Sequence, residues 1–189
     1  MKIIKVALSL LSLLLLTLLS NNNAATSSND KKKGDMNSYL KRTGEKYLKD
    51  TASKEGIYTL KSGMLVEILK EGTDADARSP TKFDTCDVTY KGTLKDGNQF
   101  DAGTTSFSPN QVIKGWTEAM QLMGEGDKWK LYIPYDLAYG ERGSPPKIPG
   151  YSPLVFEIEI HKVKSSGGKP VADARKLFQE SLATATTEL

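Results

Sequence analysis

The chain has 189 residues, 38% hydrophobic and 26% charged, which suffices for one well-packed core but not for two large domains. Its 26 basic and 23 acidic residues give a formal charge of +3, so the balance offers no reason to expect nucleic acid as a partner. One cysteine excludes an internal disulfide, and one histidine beside it excludes a His/Cys metal cluster.

Residues 1–25 read as a secretory signal peptide. Lys2 and Lys5 form a basic start, and Val6 to Leu19 is an apolar run broken only by Ser9, Ser12 and Thr17. The run has 14 residues, short of the roughly 20 that a membrane-spanning helix needs. Cleavage fits the polar stretch Asn21 to Ala25; the alternative is an uncleaved signal anchor. Loss of Lys2 and Lys5 with the leader takes the 26 basic residues to 24, against 23 acidic. The expected destination is the secretory pathway or the exterior, with no stable membrane span in the mature chain.

Residues 26–59 read as a linker and a short N-terminal helix. Thr26 to Gly34 is polar and Lys-rich, as in a solvated linker. Asp35 to Lys54 carries Met36, Leu40, Tyr47 and Leu48 at helical spacing, a thin apolar stripe. It could dock on the domain or on a partner.

From Gly63 the pattern turns to strands. Met64 to Lys70 precedes a break at Gly72, and Cys86, Val88 and Tyr90 alternate with polar residues. Cys86 therefore reads as a buried structural thiol in preference to a reactive one. Lys95-Asp96-Gly97-Asn98 predicts a hairpin turn, because Asp-Gly tolerates the positive φ of tight turns. Gln99 to Ala102 opens the partner strand. Val112 to Met123 predicts the one helix of this region, with Trp116, Ala119, Met120 and Met123 on one face. Gly124 to Asp127 stops it.

Trp129, Leu131 and Ile133 then alternate as a strand ending at Pro134. Residues 143–153 hold Pro145, Pro146, Pro149 and Pro153, which predicts a stiff loop. Leu154, Phe156, Ile158 and Ile160 alternate with Val155, Glu157, Glu159 and His161, as in a half-buried antiparallel strand with a polar face. Residues 165–189 read as a flexible linker, Ser165 to Gly168, and a C-terminal helix with Pro170 at its first position. Its apolar side is Val171, Ala174, Leu177, Phe178 and Leu182, and it reads as a lateral appendage. Residues 60–164 form one α+β domain of antiparallel strands with a single internal helix.

Read in order, several motifs resemble the FKBP-type peptidyl-prolyl isomerases. They are Tyr90-Lys91-Gly92, Gly97 to Asp101, Val112-Ile113-Lys114-Gly115-Trp116, Gly124-Glu125-Gly126, Ile133-Pro134, Leu137-Ala138-Tyr139-Gly140, Ile148-Pro149 and Leu154-Val155-Phe156. The preceding helix with Lys54 to Ile57 and Leu60 to Gly63 is similar to the macrophage infectivity potentiator (Mip) branch, whose members are typically exported. The resemblance implies a strongly twisted antiparallel sheet wrapped around one short helix, flanked by short N- and C-terminal helices.

It also implies a proline pocket. Asp101, Tyr139, Phe100 and Trp116 take the catalytic places, and Tyr90, Val112, Ile113 and Phe156 complete the lining. Phe107 and Ile148 rim it. Trp116 forms the floor, Tyr139 hydrogen-bonds one substrate carbonyl, and the Ile113 N–H holds another. No cofactor or metal is implied. The partners implied are proline-containing polypeptides and the macrolide inhibitors of the family, and the chain is expected to be a monomer.

Two departures from the family pattern stand out. The segment between Asp101 and Phe107 is only Ala-Gly-Thr-Thr-Ser, shorter than the usual bulged strand, and lacks the arginine that often pairs with the pocket aspartate. The loop position often held by histidine is Ser144, with Lys147 nearby. The alternatives to an isomerase are a proline-recognising module with little turnover and an oligomeric chaperone paired through the N-terminal helix.

Overall fold

Six strands pair antiparallel throughout in the order β1-β2-β6-β7-β4-β5. They are β1 (Ile57–Thr59), β2 (Leu65–Lys70), β4 (Thr85–Leu94), β5 (Gln99–Phe107), β6 (Lys128–Ile133) and β7 (Leu154–Lys164). The computed structural model describes residues 32, 34–73, 77–164 and 169–185. The leader expected over 1–25 and the linker 165–168 lie outside the described residues. The chain divides into two compact units, Met1–Tyr39 and Leu40–Leu189. Helix α1 covers residues 34–52. No helix among the described residues is long and apolar enough to cross a membrane.

The core lies where the inward-facing strand residues meet helix α2 (Lys114–Met120). Phe156, Ile158 and Ile160 of β7, Val88 of β4 and Leu131 and Ile133 of β6 are buried against Trp116, Ala119 and Met120. This is the α+β arrangement that strand alternation around one amphipathic helix predicts. The helix is shorter than the predicted Val112 to Met123. Val112 and Ile113 are extended, at φ −122°, ψ 175° and φ −60°, ψ 154°. They follow a 3-10 turn at Pro109–Gln111.

The β4–β5 hairpin turns at Lys95 to Asn98, with Gly97 at φ +89°. The Asp96 carboxylate accepts the Asn98 N–H at 3.0 Å. Gly92 pairs with Asp101 but Thr93 with Gln99, so Phe100 is an extra residue in β5. The segment after Asp101 pairs with β4 in unbroken register, and the bulge lies before it, at Phe100.

On the other face of the sheet, Tyr47 and Leu48 of α1 pack on Leu65, Tyr132 and Val155. The predicted stripe splits: Tyr47 and Leu48 are half-buried, whereas Met36 is 57% exposed. The C-terminal helix α3 (Val171–Ala185) follows a two-strand ribbon of β3 (Arg78–Ser79) and β8 (Lys169–Pro170). Pro170 thus closes a strand instead of opening the helix. The α3 helix is no loose appendage. Phe178 is buried in the main core, its ring 5.3 Å from Trp129 and 5.6 Å from Tyr58.

Candidate active site

Strand alternation alone would send Phe100 and Asp101 to opposite faces of β5. The bulge at Phe100 removes that alternation locally, and bulges re-aim side chains in this way. Both residues line one cavity of about 380 Å³, with Tyr90, Phe107, Gln111, Val112, Ile113, Trp116, Tyr139 and Phe156.

Trp116 stands at its centre. The indole lies edge-on to Tyr90, Phe107 and Phe156, with ring centroids 5.3, 5.9 and 5.1 Å away and interplanar angles of 77°, 81° and 85°. Phe100 continues the series, 5.4 Å from Phe156 at 85°. Edge-to-face contacts suit the ring quadrupoles and hold each ring in place. The backbone makes room for them at Gly92, where a Cβ would come within 2.6 Å of Phe156 Cε1 and 2.7 Å of Phe100 Cζ. The Trp116 Nε1–H is buried and has no hydrogen-bond partner among the described residues.

The polar edge is compact. The Tyr90 hydroxyl donates to Asp101 Oδ2 at 3.0 Å, and the Ala102 N–H donates to Asp101 Oδ1 at 3.0 Å. A phenol and a backbone amide thus take the place of the missing arginine as partners of the pocket carboxylate. Burial, then the hydrogen bond to Asp101, pushes the Tyr90 hydroxyl above its ordinary range, so it stays a proton donor near neutral pH.

Tyr139 comes from the loop after a 3-10 turn at Tyr135–Leu137 and is 42% exposed. The Gly140 N–H donates to the Tyr135 carbonyl at 2.7 Å, which fixes the backbone beside it. Ile113 precedes α2, so its N–H belongs to the group that helices leave without an internal partner.

Ile148 does not line the cavity. It is 4% exposed and belongs to the main core. Two backbone bonds with Ser144, at 2.8 and 3.0 Å, pin its segment and leave the side chain facing inward. The neighbouring Lys147 reaches the site instead, and its Nζ donates to the Phe100 carbonyl at 3.0 Å. Gln111 lines the cavity and no sequence pattern marks it. Its only signal is its place directly before Val112-Ile113.

The profile for FKBP-type peptidyl-prolyl cis-trans isomerases matches residues 76–161. The chain is 41% identical over 152 residues to a macrophage infectivity potentiator of Trypanosoma cruzi, covering 77% of this chain and 76% of that protein. It is 42% identical to the outer membrane protein MIP of Legionella longbeachae, covering 71% of this chain and 58% of that one. The crystal structure of FkpA from Escherichia coli matches with a TM-score of 0.68 at 35% identity, over 80% of this chain and 71% of that one. A peptidyl-prolyl isomerase structure from Pseudomonas syringae pv. tomato matches with a TM-score of 0.64 at 35% identity, over 68% of this chain and 96% of that one. With an aromatic cavity built inside the segment that these proteins share, the chain belongs to the FKBP-type peptidyl-prolyl cis-trans isomerase family.

Proposed function

We propose that the chain isomerises X-Pro bonds of exported or extracellular polypeptides, and that the aromatic cavity holds the prolyl amide. The observation that carries this reading is the ring of side chains set edge-on around Trp116. Rotation about an X-Pro bond needs no nucleophile. Its barrier, about 18–20 kcal/mol, comes from amide resonance. The planar amide is more charge-separated than the twisted one, so a site that strips water from it disfavours the planar state. Aromatic rings, each with about 150–250 Å² of apolar surface, supply that surrounding.

The proline ring lies on Trp116, between Tyr90, Phe107, Val112 and Phe156. Phe100 and Asp101 close one side, with Asp101 held by Tyr90. The Tyr139 hydroxyl and the Ile113 N–H donate to substrate carbonyls, and donors set for the twisted geometry lower the barrier selectively. Macrolide ligands that present a pipecolyl ring compete for the same cavity. The chain acts as a monomer. Export rests on the leader-like residues 1–25 and is supported by the printed name of the Legionella relative.

The test is a proline-isomerisation assay with a short Leu-Pro or Phe-Pro peptide and the chain lacking its first 25 residues. Tyr139→Phe should lower kcat/KM by about tenfold, equivalent to ~1.4 kcal/mol, with the fold intact by circular dichroism. Peptide binding without acceleration by the unaltered chain would show a recognition module instead.

A further inference from the structure

The bulge that brings Phe100 and Asp101 into the prolyl cavity lies on an edge. Strand β5 is the last of the sheet, and Phe100 has no register partner on β4. A bulged residue stands outside the ladder, so the ladder alone does not fix how its peptide unit is turned. The Phe100 carbonyl belongs to the same planar unit as the Asp101 N–H. A donor on that carbonyl therefore sets the direction from which the Asp101 side chain starts. That donor is Lys147 Nζ, at 3.0 Å. Lys147 has no carboxylate within ion-pair distance among the described residues. Its ammonium is committed to a backbone oxygen, and bonds from an ionised donor are about twice as strong as neutral ones.

Lys147 stands on the loop that also carries Tyr139. Within that loop the Gly143 N–H donates to the Tyr139 carbonyl at 3.2 Å, and the Tyr151 N–H donates to the Gly140 carbonyl at 3.1 Å. Ser144 and Ile148 exchange two bonds at 2.8 and 3.0 Å, and the buried Ile148 ties the segment to the core. Pro145, Pro146 and Pro149 stiffen it further. Two walls of the cavity thus come from separate pieces of chain: β5 supplies Phe100 and Asp101, and this loop supplies Tyr139. Among the described residues, no hydrogen bond other than that of Lys147 joins 99–102 to 139–151.

We infer that Lys147 is a positioning residue of the isomerase, a clasp that sets the Phe100-Asp101 wall against the loop bearing Tyr139. It does not line the cavity itself and acts through the Phe100 carbonyl. The inference rests on the isomerase reading of the cavity. It deepens that reading by giving the spacing of the two walls a cause. Small misplacements of groups around a reacting bond cost rate steeply, so the clasp acts on turnover more than on peptide affinity.

The experiment uses the chain lacking its leader and a Leu-Pro peptide. Lys147→Met keeps the aliphatic stem and removes the ammonium. It should lower kcat by about threefold or more, leave KM within about twofold and leave Tm within about 2 °C. Lys147→Arg, which again offers a charged donor, should restore most of the lost kcat. Lys147→Gln serves if methionine disturbs the loop. In NMR spectra the Asp101 amide and the Tyr139 ring resonances should move in Lys147→Met and return in Lys147→Arg. A kcat indifferent to Lys147→Met, or a loss that Lys147→Arg does not repair, would overturn the clasp. If the unaltered chain isomerises no peptide, the isomerase reading is what fails. The resonances then decide the clasp: movement in Lys147→Met reversed in Lys147→Arg upholds it, and unmoved resonances remove it.

Discussion

Tyr90 and Asp101 face each other diagonally across the β4–β5 hairpin, Tyr90 paired with Gly103 and Asp101 with Gly92, yet their side chains meet at 3.0 Å. The carboxylate has one partner that can be removed by mutation, the phenol, and one that cannot, the Ala102 N–H. Tyr90→Phe and Asp101→Ala should each lower kcat/KM by about tenfold, since both free the same polar edge. The double variant should lose little beyond the worse single one, because the pair acts as a unit. Full additivity in the cycle would show that the two side chains contribute independently.

The close approach at Gly92 gives a second prediction. An added methyl there overlaps Phe156 and Phe100 at 2.6 and 2.7 Å, and both rings belong to the cavity. Neither can retreat freely, because Phe156 is held edge-on to Trp116. Gly92→Ala should cost about 1–3 kcal/mol, read as a Tm lower by roughly 3–10 °C. It should also reduce isomerase activity at temperatures where the variant remains folded. A Tm within 1 °C of the parent, about 0.3 kcal/mol, would mean that the hairpin can shift away from the rings.

Much of this arrangement was legible in the chain. Alternation through Phe156, Ile158 and Ile160 marked the inner face of β7, and Asp96-Gly97 marked the hairpin. The period of a strand cannot reveal an inserted residue, so the bulge that turns Phe100 and Asp101 to one side was hidden. Ile148 lies in a proline-rich loop with no period at all. Only the backbone bridge to Ser144 decides that it faces the core. The apolar side of α3 was visible but read as a lateral appendage; the burial of Phe178 was hidden because its target, Trp129, depends on the long-range placement of β6.

Cys86 supplies a pH-dependent prediction. Burial, followed by the charges of Asp84, Asp87 and Glu125, pushes its thiol up to about 12. In the unfolded chain a cysteine ionises near its ordinary value, about 8.5. The folded state therefore holds its proton more tightly. Its contribution to stability is complete below about pH 8.5 and declines as pH rises toward 12. Urea midpoints measured at pH 8 and pH 10.5 should fall with pH, and the fall should be smaller in Cys86→Ala, which lacks the linkage. The thiol should also resist a disulfide reagent until denaturant is added. Rapid labelling of the native protein would contradict its burial.

The last prediction concerns how α3 is held. The Asp127 side chain is 1% exposed and accepts three bonds: the Gly72 N–H at 2.7 Å, the Gly124 N–H at 2.8 Å and Arg175 Nη2 at 3.0 Å. Arg175 is less enclosed, its side chain 33% exposed, and it also lies 3.8 Å from Glu71. The two partners are therefore unequal. Asp127→Ala leaves the buried Gly124 N–H and the half-buried Gly72 N–H without their acceptor and removes the nearest anion from Arg175, so it should cost about 3–5 kcal/mol. Arg175→Met leaves the carboxylate with both amides and retains the aliphatic packing, so it should cost clearly less, about 1–2 kcal/mol. Urea unfolding of the two variants measures the difference. Equal losses would mean that the ion pair itself, and not the pair of backbone amides, fixes the junction between α3 and the turn before β6.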